Sequence, residues 1–134
     1  MDSFDTNVVI YLLSSEPTRI AKSKALLSKP GVVSVQVFNE FIAALRSGKR
    51  SNPPNWSAID NVLAFLRANH RVVPVDLATH SRARMYAERY QIKVYDANIV
   101  AAAVLAGCTT LWSEDMNAGQ VIDGLTIRNP YAGL

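Results

Sequence analysis

Residues 95–112 read YDANIVAAAVLAGCTTLW, and the fold follows from them. From Ala97 to Ala106 the chain is apolar around nearly the whole circumference of a helix. Such a helix has no face to give to water and belongs between two layers of a core. Asp96 reads as its cap and Gly107 as its stop. Thr109 to Trp112 then reads as a strand. A buried helix running directly into a strand is the unit of α/β folds, in which helices cover a mostly parallel sheet.

The pattern repeats toward the N-terminus. Met1 to Phe4 reads as a first strand, and Asp5-Thr6-Asn7 caps a helical turn through Leu13. Pro17 opens a helix to about Ser28. Val32 to Val35 is a second strand. Ser34 caps a helix from about Val35 to Ser47, stopped at Gly48. The polar segment Gly48 to Asn55 (GKRSNPPN) is a loop between helices. A helix follows from about Ser57 to Asn69. Arg71 to Val75 is a third strand, and Pro74 argues for an edge position or a strand end. Leu77 to Tyr90 is helical. On the C-terminal side, Leu125 to Arg128 is a fifth strand.

The composition bounds what this chain can do. With 134 residues, 49% apolar and 19% charged, it is expected to form one domain over residues 1–134. The longest uninterrupted apolar run, Ile99 to Ala106, is far short of the ~20 residues of a membrane span. The start MDSFDTN has no basic stretch, which argues against a secretory signal. A single cysteine, Cys108, excludes a disulfide scaffold and reads as a small core residue. Together these point to a cytoplasmic protein. The net charge of +3 permits a nucleic-acid partner without requiring one.

In a parallel sheet, ligands collect beyond the carboxyl ends of the strands. Four acids fall at such junctions. Asp5 follows the first strand. Glu40 lies in the second turn of the helix after the second strand, at the border of an apolar arc made by Val37, Phe38, Phe41, Ile42 and Leu45. Asp96 heads the buried helix, and Asp115 follows the strand ending at Trp112. Taken singly, each has a plain structural reading as a helix cap, a turn former or a solvated side chain. Together they form an all-oxygen set of the kind that Mg²⁺ or Mn²⁺ prefers. Two such ions activate a water and stabilise the leaving oxygen of a phosphodiester. Thr6, Asn7, Ser113 and Asn117 stand close in sequence and are expected to supply neutral oxygens or to orient waters.

Other chemistries fit worse. No glycine-rich phosphate loop is present. His70 and His80 have no metal-ligand spacing and read as surface or helix-end residues. Trp56, Tyr86, Tyr90, Tyr95 and Trp112 read as core rather than as base-stacking platforms.

The segments FDTNVVIYLL, SVQVFNEF, YDANIVAAAVLAGC and LWSEDMNAGQ, in this order and spacing, resemble those of PIN-domain ribonucleases. The chain is most similar to the VapC-type toxins of bacterial toxin–antitoxin pairs. The resemblance spans essentially the whole chain. It implies a three-layer α/β/α domain whose mostly parallel central sheet carries an acidic metal pocket. It matches the family's acids to Asp5, Glu40, Asp96 and Asp115, with Ser113 as the hydroxyl before the last. Asn117 matches a polar residue that some members keep near the pocket. Glu114 is left out, because the strand period turns it away from Asp115. The resemblance further implies a Mg²⁺- or Mn²⁺-dependent endoribonuclease that cuts structured RNA such as tRNA or rRNA. It also implies an antitoxin protein that restrains the enzyme, and a homodimer.

Arg46, Lys49 and Arg50 continue from the Glu40 helix into the next loop. They read either as guides for substrate phosphates or as cations at a helix C-terminus. Two other classes stay open on residues alone. One is a non-catalytic RNA- or protein-binding module using the same pocket. The other is a phosphoryl-transfer or phospho-accepting domain, disfavoured because Asn7 stands where a second acid would be needed and no lysine occupies a matching junction.

Overall fold

Each strand of the sheet is only two to four residues long, so its alignment rests on the register between neighbours. The computed structural model describes residues 1–134. The strands are β1 (Asp2–Phe4), β2 (Val32–Ser34), β3 (Arg71–Val73), β4 (Thr110–Trp112), β5 (Val121–Ile122) and β6 (Leu125–Arg128). They lie in the order β3-β2-β1-β4-β6-β5, all parallel except the β5–β6 pair. Phe4 pairs with Trp112, and Ser34 with Val73, so the carboxyl ends of the central strands finish together. β3 is one of the two edge strands, and Pro74 stands just beyond its end, where no ladder donor is missed.

The helices are α1 (Thr6–Ile10), followed by a 3₁₀ turn at Tyr11–Leu13, then α2 (Pro17–Leu27), α3 (Val35–Leu45), α4 (Trp56–Asn69), α5 (Leu77–Tyr90) and α6 (Val94–Leu105). They cover both faces of the sheet as a three-layer α/β/α arrangement, the PIN-like fold that the resemblance implies. Residues Ala97 to Ala103 of α6 are all buried. Their small side chains let the helix lie close against β2 and β6, with α3 and α5 packed on it. One apolar cluster of 26 buried residues joins these layers. No helix is long and apolar enough to cross a membrane.

Gly31 decides how the chain enters β2. A Cβ there would stand 2.6 Å from the Phe4 ring and 2.7 Å from the Asp2 carbonyl oxygen. The backbone oxygen cannot yield as a flexible side chain would, so only glycine fits between β1 and the start of β2.

The structure corrects several expectations. α6 begins at Val94, one turn earlier than the acid at 96 suggests, and extended Lys93 takes the capping position without a side-chain bond. Asp96 is therefore inside the first turn, free of capping duty. A hairpin, β5–β6, replaces the lone last strand. Its turn is Asp123-Gly124, with φ of 47° and 84°. An Asp-Gly pair between apolar runs is the standard signal for this turn, and the sequence carries it. His70 is buried between the edges of Phe4 and Phe65, not on the surface, although it does end α4. Trp56 and Tyr95, expected in the core, are 52% and 64% exposed. Trp56 lies under the Arg46 guanidinium, and Tyr95 belongs to the unenclosed first turn of α6.

Candidate active site

Parallel pairing of β1 with β4 puts Asp5 beside Ser113. The Asp5 amide donates to the Trp112 carbonyl at 2.9 Å, and the Ser113 hydroxyl donates to Asp5 Oδ2 at 2.6 Å. Asp5 Oδ1 accepts from the Thr6 amide at 2.7 Å, which makes the carboxylate the cap of α1 as well. The side chain is buried. Burial pushes its pKa up to about 6. The Ser113 and Thr6 bonds pull the other way, and the charges of Asp96 and Glu40 add to the rise.

Glu40 reaches the same place from α3. Its Oε1 accepts from the Thr6 hydroxyl at 3.3 Å, and its Oε2 from the Gln36 amide one helical turn earlier at 2.9 Å. Gln36 is thus a functional neighbour that the sequence reading passed over. Its signal was the four-residue spacing to Glu40 on one helix face. Asp96 makes no hydrogen bond of its own. Its pKa is raised by partial burial first and then by the Glu40 charge, with Lys93 opposing and Asp115 adding. Asp115 is exposed, and its Oδ2 accepts from the Asn7 side chain at 3.0 Å. Asn7 Oδ1 in turn accepts from the Glu114 amide at 3.4 Å, which ties the loop after β4 to α1.

At the carboxyl edge of the sheet Asp5 feels the charges of Asp96 and Glu40, and Asp96 feels those of Glu40 and Asp115, so Asp96 links the four. Thr6, Asn7 and Ser113 each bond one or more of them. The Asn117 side chain hydrogen-bonds none of the four. It lines an adjoining cavity with Asp96 and Asp115. Arg46, Lys49 and Arg50 are not brought to the acids. Arg46 donates to the Pro54 carbonyl at 3.1 Å and stacks on Trp56, and Arg50 donates to the Ala44 carbonyl at 3.2 Å. Lys49 is exposed in the loop.

Glu114 has a different environment. It accepts a hydrogen bond from the Tyr11 hydroxyl and forms an ion pair with Arg19. That guanidinium lies 5.0 Å from the Tyr11 ring centre and 5.2 Å from that of Tyr131. By contrast, none of the four pocket acids is in an ion pair; the salt bridges of the chain are Arg19 with Glu16 and Glu114, Arg82 with Asp123, and Arg84 with Glu88.

The donor chemistry suits a hard divalent cation. It is all oxygen, negatively charged and not compensated by contact with a cation. As they stand, no three acidic, histidine or cysteine side chains converge tightly enough to close a ligand shell. Mg²⁺ does not require that, since it takes one or two carboxylates and keeps several waters.

A model of the PIN-domain family matches residues 4–121, a span that contains all four acids. The chain belongs to the PIN-domain family. A search of curated proteins gives no match. Among solved structures, this PIN domain is similar to a toxin–antitoxin complex from Klebsiella pneumoniae, with TM-score 0.71 and 19% identity over 98% of each chain. It is also similar to VapC20 of Mycobacterium tuberculosis, a sarcin–ricin loop cleaving toxin, with TM-score 0.67 and 22% identity over 86% of this chain and 90% of that one. VapBC2 of Rickettsia felis, bound to a DNA fragment from its promoter, gives TM-score 0.65 and 15% identity over 96% and 97%. At these identities the likeness is one of fold.

A second, larger cavity of about 560 Å³ lies away from the acids, between the 3₁₀ turn, α2 and α4. Leu12, Leu13, Leu27, Val62 and Phe65 line it, with Lys24 among the polar side chains.

Proposed function

We propose that the chain is a metal-dependent endoribonuclease and the toxin half of a toxin–antitoxin pair, acting in the cytoplasm. The observation that carries this reading is the uncompensated acidic set at the carboxyl edge of a PIN sheet. Asp5, Glu40, Asp96 and Asp115 would hold Mg²⁺ or Mn²⁺. When bound, such an ion supplies an activated water and charge stabilisation for a phosphodiester.

The chain's own residues prepare that site. Ser113 and the Thr6 amide fix both oxygens of Asp5, and Gln36 with Thr6 orients Glu40. Asn7 holds Asp115 against α1. Asp96 is left free of hydrogen bonds, so its carboxylate is available to a ligand. Burial keeps Asp5 partly protonated near pH 6, so cation binding there must displace a proton.

Similarity to toxin–antitoxin complexes supports a protein partner that restrains the enzyme. The apolar groove suits an amphipathic segment of that antitoxin, with acids facing Lys24. Val62→Asp is then expected to abolish rescue of growth by co-expressed antitoxin while leaving RNA cleavage intact. Rescue that survives the change would remove the groove from the interface. A homodimer fits the same family reading and is checked by light scattering of the purified protein.

The central test is cleavage of cellular RNA, tRNA and rRNA included, by wild type and by Asp96→Asn, with Mg²⁺, Mn²⁺ or a chelator. Metal-dependent cleavage lost in the variant is expected, with 5′-phosphate and 3′-hydroxyl ends. Cyclic phosphate ends would mean attack by the 2′-hydroxyl and would overturn the hydrolytic account. Equal cleavage by both proteins, or none by either, would favour a non-catalytic binding module.

A further inference from the structure

Of the residues that line the cavity beside Asn117, of about 280 Å³, only Asp96 and Asp115 take part in the chemistry described above. Asp96 and Asp115 belong to its lining, so it shares a wall with the acidic pocket. Ile92, Met116 and Ile127 give it apolar surface. Gln91, Asn117 and Gln120 bring three side-chain amides to it, and Lys93 brings a cation.

These amides are not consumed by the fold. Asn117 and Gln120 bond each other through the main chain only, N to O at 3.1 Å. Gln91 donates its Nε2 to the Glu88 carbonyl at 2.7 Å, which leaves the amide oxygen unused. Gln91 also ends α5 in the left-handed region, with φ 56° and ψ 41°. Glycine takes that conformation without penalty, whereas a glutamine bears one. The backbone penalty at this position comes with an amide at the cavity.

The dimensions and the chemistry suit one ligand class. Sites that enclose whole drug-sized ligands run from ~300 to 1,000 Å³. This cavity falls just below that, which suits a single planar base. An amide offers a donor and an acceptor side by side, the pattern that matches a base edge. The apolar surface of Ile92, Met116 and Ile127 suits the face of the ring. In an A-form duplex base edges are hard for side chains to reach, so the base must be unpaired and unstacked.

We propose that this cavity receives one unstacked base of single-stranded RNA, next to the phosphodiester at the acids, and that Gln91, Asn117 and Gln120 read its edge. Lys93 holds the adjoining phosphate. The proposal rests on the ribonuclease reading and names its substrate class.

The test separates the two. Glu40→Gln serves as a cleavage-deficient background, because Glu40 does not line the cavity. Fluorescein-labelled hexanucleotides of A, C or U are titrated into it and followed by anisotropy. Affinities are expected to differ by about fivefold or more between the best and worst bases, the scale of one good base contact. Gln120→Ala and Gln91→Gly are each expected to narrow that spread. Gln91→Gly also relieves the backbone, so a loss of selectivity in that variant cannot be laid to unfolding. Equal binding of all three oligonucleotides, or a spread unchanged in both variants, would overturn the base pocket. Base-selective binding by a wild type that cuts no RNA would leave the pocket standing and refute the nuclease reading instead.

Discussion

Glu114 and Asp115 are adjacent in sequence and opposite in surroundings. Glu114 turns to Tyr11 and Arg19 and is neutralised there. Burial works against its charge, but the Tyr11 hydroxyl and the Arg19 guanidinium outweigh that and hold its carboxyl below the ordinary range. Asp115, Asp5 and Glu40 meet amides and hydroxyls, while Asp96 has no hydrogen-bond partner and feels the charges of Glu40 and Asp115 against that of Lys93. A neutral donor orients a carboxylate without cancelling its charge. A carboxylate that serves the fold carries its countercharge from the same chain. One that is oriented but not neutralised is fitted to a countercharge from outside.

The sharpest way to break this comparison is to remove a charge on each side. Asp96→Asn removes a pocket charge that has no internal partner. RNA cleavage is expected to fall about a hundredfold or more, since cation-mediated stabilisation is worth several kcal/mol. Thermal stability should not fall, and this is read by calorimetry on the same preparation. A clear loss of stability would mean that Asp96 is a structural acid like Glu114.

Asp5 makes a two-sided prediction. Its pKa of about 6, against 3.8 in an unfolded chain, means that the folded state favours the protonated form. The stability this group contributes is full below about pH 4, is lost as pH rises through about 6, and is flat above that. The difference is worth ~3 kcal/mol. Without added metal, Asp5→Asn should therefore raise stability above pH 6 by up to that amount and remove the slope between pH 4 and 6. Wild-type cleavage should rise with pH as Asp5 ionises, at a lower pH than the metal-free stability curve, because a bound cation favours the carboxylate. Urea unfolding at several pH values, beside a cleavage profile, reads both. A stability curve equally sloped in the variant would remove Asp5 as its source.

The neutralised side gives a smaller effect of opposite sign. Glu114→Gln leaves Arg19, between two tyrosine rings, with only the more exposed Glu16 as an ion-pair partner and should lower stability by ~1–2 kcal/mol. Cleavage should fall less than for Asp96→Asn, because Glu114 acts only by anchoring the loop that carries Asp115. Adding Arg19→Met should recover part of the lost stability. If the double variant is worse than the sum of the singles, the pair is not the coupled unit described here.

The fold was legible because its signals are local and periodic. The all-round apolar helix after Asp96, the alternation of strand and helix, and the caps at Ser34 and Asp5 each place an element within a few residues. Which acids would be neutralised was less legible, because that depends on contacts across the chain. Tyr11 and Arg19 stand 103 and 95 residues from Glu114, and only the fold closes them on it. Strand periodicity does not reach Glu114, because β4 ends at Trp112 and Glu114 and Asp115 both lie in the bend beyond it. The earlier start of α6 was hidden because an acid in a first turn and an acid at a cap look alike in sequence. His70 ends α4, one of its two readings, but is not on the surface, the other. A polar residue at a helix end reads as exposed, yet here two aromatic rings enclose it.

Arg46 extends the comparison to cations. The sequence admits it as a guide for substrate phosphates, but in the structure its guanidinium lies 5.1 Å from the Trp56 ring centre and donates to the Pro54 carbonyl. It is committed to the loop between α3 and α4, as Arg19 is committed to Glu114. An exposed cation–π contact is worth ~0.5–1 kcal/mol, so Arg46→Ala should lower stability by no more than about that. RNA affinity and its salt dependence should be unchanged. A cation that did neutralise a phosphate would, on removal, flatten the slope of log affinity against log salt by about one. A flatter slope in Arg46→Ala would show that the guanidinium leaves Trp56 for a phosphate when RNA binds. It would then belong with the residues that wait for a partner, as the pocket acids do.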